Sequence, residues 1–175
     1  MKAIIKLFFL LTISAALISI TAGCSDKHSP ADITLISLDP GHFHASLVMK
    51  QMYENVSPQV YIFAPPGPDA AGLLNRIDLF NSRPQNPTAW EPVIYRGDDF
   101  LEKMLMEKPG NVVVLAGSNL RKTEYIHASV TAGLNVFSDK PMCIDSRGFS
   151  LLKESFEAAE NNDVLLYDIM TERYE

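Results

Sequence analysis

Cysteine is nearly missing from this chain, with two in 175 residues, Cys24 and Cys143. Cys24 falls in an export signal treated below and is expected to be consumed by lipid, which leaves Cys143 alone. A lone thiol makes no internal disulfide and no cysteine-based metal site, so Cys143 reads as a small buried hydrophobe. Basic clusters are missing too. Fifteen Lys and Arg stand against 21 Asp and Glu, a formal charge of -6, and the longest basic run is Arg121-Lys122. Nucleic acid rewards clustered positive charge, so it is set aside as a partner. No apolar run reaches the ~20 residues of a comfortable membrane span. The longest, Leu7 to Ile20, is broken by Thr12, Ser14 and Ser19.

That run is an address instead. Lys2 and Lys6 precede it with no acid, giving the charged and apolar regions of a secretory signal. It ends in Thr21-Ala22-Gly23-Cys24, which resembles a bacterial lipobox. There a peptidase cuts before the cysteine, whose thiol carries diacylglycerol. Residues 1–23 are therefore expected to be a lipoprotein signal peptide, and 24–32 the lipidated Cys24 and a polar tether. The protein is expected to sit at a membrane surface on the periplasmic or outer face, since several lipid chains bury enough methylene for lasting attachment.

From Ile33 onward, strand-like and helix-like stretches alternate. Ile33 to Leu38, Val60 to Ala64, Val93 to Tyr95, Val112 to Leu115, Asn135 to Ser138 and Val164 to Tyr167 read as strands. The apolar continuity of Val112 to Leu115 suits a strand buried on both faces. Between them, helices are expected over Phe43 to Glu54, Leu73 to Phe80, Asp98 to Met106 with an acidic cap, Thr123 to Ala132 closed by Gly133, and Ser146 to Asn161 with Ser146 as cap. Pro84, Pro87 and Pro92 make the stretch before the third strand a surface loop. Alternation of this kind implies an α/β fold, a doubly wound parallel sheet of Rossmann type, over residues 33–170.

Such sheets bind ligands at the carboxyl ends of their strands. Three loops are selected: Asp39-Pro40-Gly41-His42, Ala116-Gly117-Ser118-Asn119 and Asp139-Lys140-Pro141. Gly41 lets backbone approach a phosphate, and the helix behind it should offer free N–H groups. The full Gly-x-Gly-x-x-Gly fingerprint is absent, however. Asp39 would repel a pyrophosphate, and Ala64-Pro65 stands where an acid usually holds the ribose. His42 and His44 with Asp39 suggest a metal, but two such ligands on a loop read more simply as capping and packing groups, and no metal is expected.

The stretch from Val112 through Ala116-Gly117-Ser118-Asn119, then Thr131-Ala132-Gly133-Leu134-Asn135-Val136 and Asp139-Lys140-Pro141, resembles the N-terminal domain of Gfo/Idh/MocA oxidoreductases. In that family a Thr-Pro-Asn loop, an Ala-Gly helix end and a Glu-Lys-Pro element stand at these places. Here Gly117-Ser118 replaces Thr-Pro, Asp139 replaces Glu, and Lys122 stands where His is frequent. His44-Ala45 resembles the opening of the family's first helix, and the string from Asp39 to Ala45 is similar to a divergent subgroup of Bacteroidetes lipoproteins. The resemblance covers nearly all of Ile33 to Tyr174.

The resemblance implies NAD or NADP bound by Pro40, Gly41, His42, Ser118, Asn119, Asp139, Lys140 and Pro141. Lys140 would be the catalytic residue, holding a hydroxyl of a sugar or polyol beside the nicotinamide and helping to move its proton. It also implies a second, C-terminal catalytic domain, which does not fit within this length; residues 171–175 fall where it would start. The chain is thus expected to be a single cofactor-binding domain, a fragment not active alone and open to self-association. The alternative is a non-catalytic binding or scaffold domain that kept the fold.

Overall fold

The computed structural model describes residues 32–169. The stretches expected to be a signal peptide (1–23), a lipidated Cys24 and the start of a second domain (171–175) lie outside them. Six strands form one all-parallel sheet in the order β3-β2-β1-β4-β5-β6. They are β1 (Ile33–Leu38), β2 (Val56–Ala64), β3 (Glu91–Arg96), β4 (Val112–Leu115), β5 (Asn135–Ser138) and β6 (Leu166–Asp168). This is the expected Rossmann order, with its reversal between β1 and β4. The helices are α1 (Asp69–Ser82), α2 (Phe100–Glu107), α3 (Lys122–Thr131) and α4 (Ser146–Asn161), and a 3-10 helix spans Phe43–Met49.

Alternation along β1 builds two cores. Leu35 joins Ala45, Met49, Leu73, Ile77 and Trp90 on one face. Ile36 and Leu38 join Phe100, Met104, Ile126 and Val130 on the other. Both faces of the central strands are therefore dry, as apolar runs without polar alternation require.

Several boundaries differ from expectation, each for a local reason. The helix expected over Phe43 to Glu54 is the 3-10 helix, and it stops at Met49. Its last carbonyls are diverted: the Trp90 indole donates to Met49 O at 2.7 Å, and Arg83 Nη2 donates to Lys50 O at 2.6 Å. The proline-rich loop is thus pinned rather than loose. Asn81 fixes it further, accepting from Thr88 Oγ1 and Trp90 N and donating to Trp90 O. α1 is longer than expected because it starts at Asp69, directly after the proline cluster.

Helix α2 starts at Phe100, not Asp98. Its N-cap Asp99 makes no side-chain cap bond and instead accepts from the Tyr95 hydroxyl. The cap of α4 is Asp145, accepting from Gly148 N at 2.6 Å, rather than Ser146. Gly133 ends α3 as expected, with φ +78, a region that L side chains rarely enter. Cys143, expected as a small buried hydrophobe, is half-buried.

Candidate functional site

The carboxyl ends of β1, β4 and β5 bring the three selected loops together. Asp39 N donates to Phe63 O, His42 N to Ala116 O and Asp139 N to Leu115 O, all at 2.9 Å or less. Asp39 turns the chain at φ +48, which Asp and Asn tolerate better than most residues. Gly117 passes so close to the Asp39 backbone that no side chain fits there. The Cβ position of Gly41, by contrast, meets only Gly117 Cα, at 3.9 Å. One glycine holds the loops against each other, while the other leaves space above its Cα, its N–H being taken by Asp39 O at 2.9 Å.

A cleft of about 500 Å³ opens at this point, lined by Asp39, Gly41, His42, Pro65, Asp69, Phe100, Gly117, Ser118, Arg121 and Tyr125. Its size suits a cofactor-class ligand. Three of the predicted residues, Gly41, His42 and Ser118, therefore line it. Pro40 lies in an adjoining hollow of about 210 Å³ with Asp69 and Arg76. Asn119 is engaged within the protein, where its Oδ1 accepts from the buried ammonium of Lys122 at 2.8 Å. Lys122 also reaches Lys140 O at 3.4 Å, joining the β4 loop to the β5 loop. Lys140 is exposed, and the Lys140-Pro141 peptide is cis.

The electrostatics of the cleft are mixed. Burial pushes the Asp39 carboxyl above its usual range; the Tyr125 hydroxyl, donating at 3.2 Å, and the charge of Arg121 work the other way, while Asp69 adds to the rise. Burial, then Asp39, raise the Tyr125 phenol. Burial also holds the Lys122 ammonium below its ordinary value, against the attraction of Asp139 and Asp168. The guanidinium of Arg121 lies 4.9 Å from the Tyr125 ring and 6.0 Å from that of Phe100, at the mouth of the cleft. Two acids and one arginine therefore face whatever enters.

The histidines take the capping and packing roles expected of them, with His42 as the cap of the 3-10 helix and His44 buried. His42 and His44 do not meet Asp39, whose carboxylate goes to Tyr125. They meet Asp139: His44 Nδ1 lies 2.9 Å and His42 Nδ1 3.6 Å from Asp139 Oδ2. The first helix does not present an open α-helical N-terminus either, because it is 3-10 and the His42 side chain accepts from its own His44 N at 3.5 Å. The second strand does end at Ala64 without an acid, yet Asp69, the first residue of α1, reaches the cleft.

Asp69, Arg121 and Tyr125 line the cleft and Lys122 joins two of its loops, although none of the four is among the site residues expected from the sequence. Arg121 and Tyr125 are spaced four apart around the start of α3, a spacing that puts side chains on one helix face. That spacing, beside the chosen Ser118-Asn119 loop, was the available signal.

The sheet order and the cleft at its reversal define a Rossmann-type domain of dinucleotide-binding architecture. Among solved structures, the chain is similar to a presumed oxidoreductase from Parabacteroides merdae at 55% identity and a TM-score of 0.81, covering 85% of this chain and 34% of that one. At 12% identity and a TM-score of 0.55 it matches Synechocystis biliverdin reductase, solved with biliverdin and NADP+, over 80% of this chain and 38% of that one. Myo-inositol 2-dehydrogenase from Lactobacillus plantarum matches at 14% identity and a TM-score of 0.55, over 82% and 38%. These structural neighbours are oxidoreductases of the Gfo/Idh/MocA type, and the match falls on their N-terminal portion. The chain spans little more than a third of their length. No protein-family model matches it, and no curated protein does.

Proposed function

We propose that this chain is the nicotinamide-cofactor domain of an oxidoreductase acting on a sugar or polyol, held at a membrane surface by lipid on Cys24. The observation that carries the reading is the cleft at the β1/β4 reversal, with space above Gly41 and a cation, Arg121, in its lining. The residues fit a dinucleotide in part. The space and the glycine suit a pyrophosphate, whereas Asp39 opposes it and the 3-10 helix offers it little. In this reading Arg121 replaces the helix end as the anchor for phosphate. Asp69 takes the place of the missing strand-end acid and accepts from ribose hydroxyls, which favours NAD over NADP because a 2′-phosphate would be repelled.

When bound, the cofactor would supply hydride transfer. The chain's own residues bind and orient. In this reading Lys140, exposed just beyond β5, holds a substrate hydroxyl and moves its proton. The acidic lining at Asp39 favours a second reading, a scaffold domain that kept the fold without the cofactor. Calorimetric titration of NAD+ and NADP+ separates the two. The cofactor reading expects NAD+ to bind more tightly, Arg121→Ala to weaken it, and Asp69→Asn to erase the preference. No binding of either at millimolar concentration leaves the scaffold reading standing.

A further inference from the structure

His42, His44 and Asp139 come from two separate loops, yet one donor atom from each lies within 4.8 Å of the other two. We propose that these three side chains form a site for a divalent transition-metal ion. The chemistry of the donors is the first reason. Two imidazoles and one carboxylate suit Zn2+, Fe2+ and neighbouring ions, and three ligands leave open positions for water or a hydroxyl group. The spacing is the second. Ligand bonds of ~2.0–2.2 Å put tetrahedral donor atoms ~3.3 Å apart, between the 2.9 Å and 3.6 Å separations of the two histidines from Asp139 Oδ2.

The third reason is independent of spacing. Asp139 is buried, and its other oxygen, Oδ1, has no hydrogen-bond partner among the described residues. A buried carboxylate oxygen left unpaired is costly, and a cation on the same carboxylate compensates for it. His44 is buried beside it, whereas the His42 side chain is 47% exposed and lines the cleft. The open coordination positions therefore lie toward the cleft. Lys122 and Lys140 stand close enough for their charges to act on this cluster. They oppose a cation, but Lys122 donates to Asn119 and to the Lys140 carbonyl, leaving the three donors to the metal.

The test uses the full chain, stripped with chelator and titrated with Co2+ while its visible band is recorded, then with Zn2+ as competitor. One Co2+ per chain is expected, displaced by Zn2+. His42→Ala, at an exposed position, should weaken binding at least about tenfold, as altering even an outer partner of a ligand does. Asp139→Asn should do the same, and Lys122→Met should tighten binding by relieving repulsion. No band, or a band of equal affinity in His42→Ala, overturns the site. The titration contains no nucleotide, so its failure leaves the cofactor reading untouched.

Discussion

Gly117 lies so tightly under the turn at Asp39 that a Cβ would come within 1.7 Å of the Asp39 carbonyl oxygen and 3.1 Å of Gly41 N. Both neighbours are backbone, which cannot swing aside as a side chain would. Gly117→Ala must therefore push the β1 and β4 loops apart. The expected cost is on the order of 1–3 kcal/mol of folding stability, as for other overpacked sites, read from the denaturant midpoint. A midpoint equal to wild type would show that the loops do not close as described.

The pH dependence of Asp39 has a definite sign. Its folded carboxyl titrates above 3.8, chiefly through burial, so the folded state binds the proton more readily than the unfolded chain. The contribution is fully present below pH 3.8 and is lost as pH rises through the raised value. At pH 7 the buried charge is a cost. Asp39→Asn keeps an acceptor for Tyr125 and suits the positive φ, so it should stabilise the protein at pH 7. That advantage should shrink on acidification. Urea unfolding at pH 7 and pH 4 measures it; a variant less stable at pH 7 than at pH 4, relative to wild type, would contradict the assignment.

Lys122 shows the same logic for a base. Burial lowers its ammonium below 10.5, so the folded state holds that proton less firmly than the unfolded chain. The cost is complete below the lowered value and disappears as pH rises toward 10.5. Relative to Lys122→Met, wild type should gain stability between neutral pH and pH 10. A flat difference in unfolding free energy across that range would mean that the ammonium is better solvated than its burial implies.

The fold was legible because strand signals are local. Val112 to Leu115 is a continuous apolar run, Asn135 to Ser138 centres on the β-favouring pair Val136-Phe137, and both strands have those bounds. Helix starts were harder, because an acid can be claimed by something other than the helix, as Asp99 is by Tyr95. The first helix failed for a tertiary reason: Trp90, 41 residues away, takes the carbonyl of Met49. At the site, the loops could be chosen from strand ends alone. Which side chains face each other across them could not. Asp139 meets His42 and His44, while Asp39, in a turn at φ +48, meets Tyr125 instead.

The lipid anchor is tested separately from the site. The run ending in Thr21-Ala22-Gly23-Cys24 leads to the expectation that Cys24→Ala shifts the protein from the membrane pellet to the soluble fraction. A variant that pellets like wild type would remove Cys24 as the anchor.

The central claim is that a dinucleotide passes its phosphates over the β1 turn, close to Asp39. Calorimetry with NAD+ on wild type and Asp39→Asn tests it most directly. Unit charges 4 Å apart interact by about 4 kcal/mol at an effective dielectric of 20, and a tenfold change in affinity takes only about 1.4 kcal/mol. Wild type should bind with a Kd on the order of high micromolar or weaker, and Asp39→Asn should tighten it by about tenfold or more. Equal, submicromolar affinity in both proteins would show that the phosphates do not pass Asp39, and the site would have to be placed elsewhere.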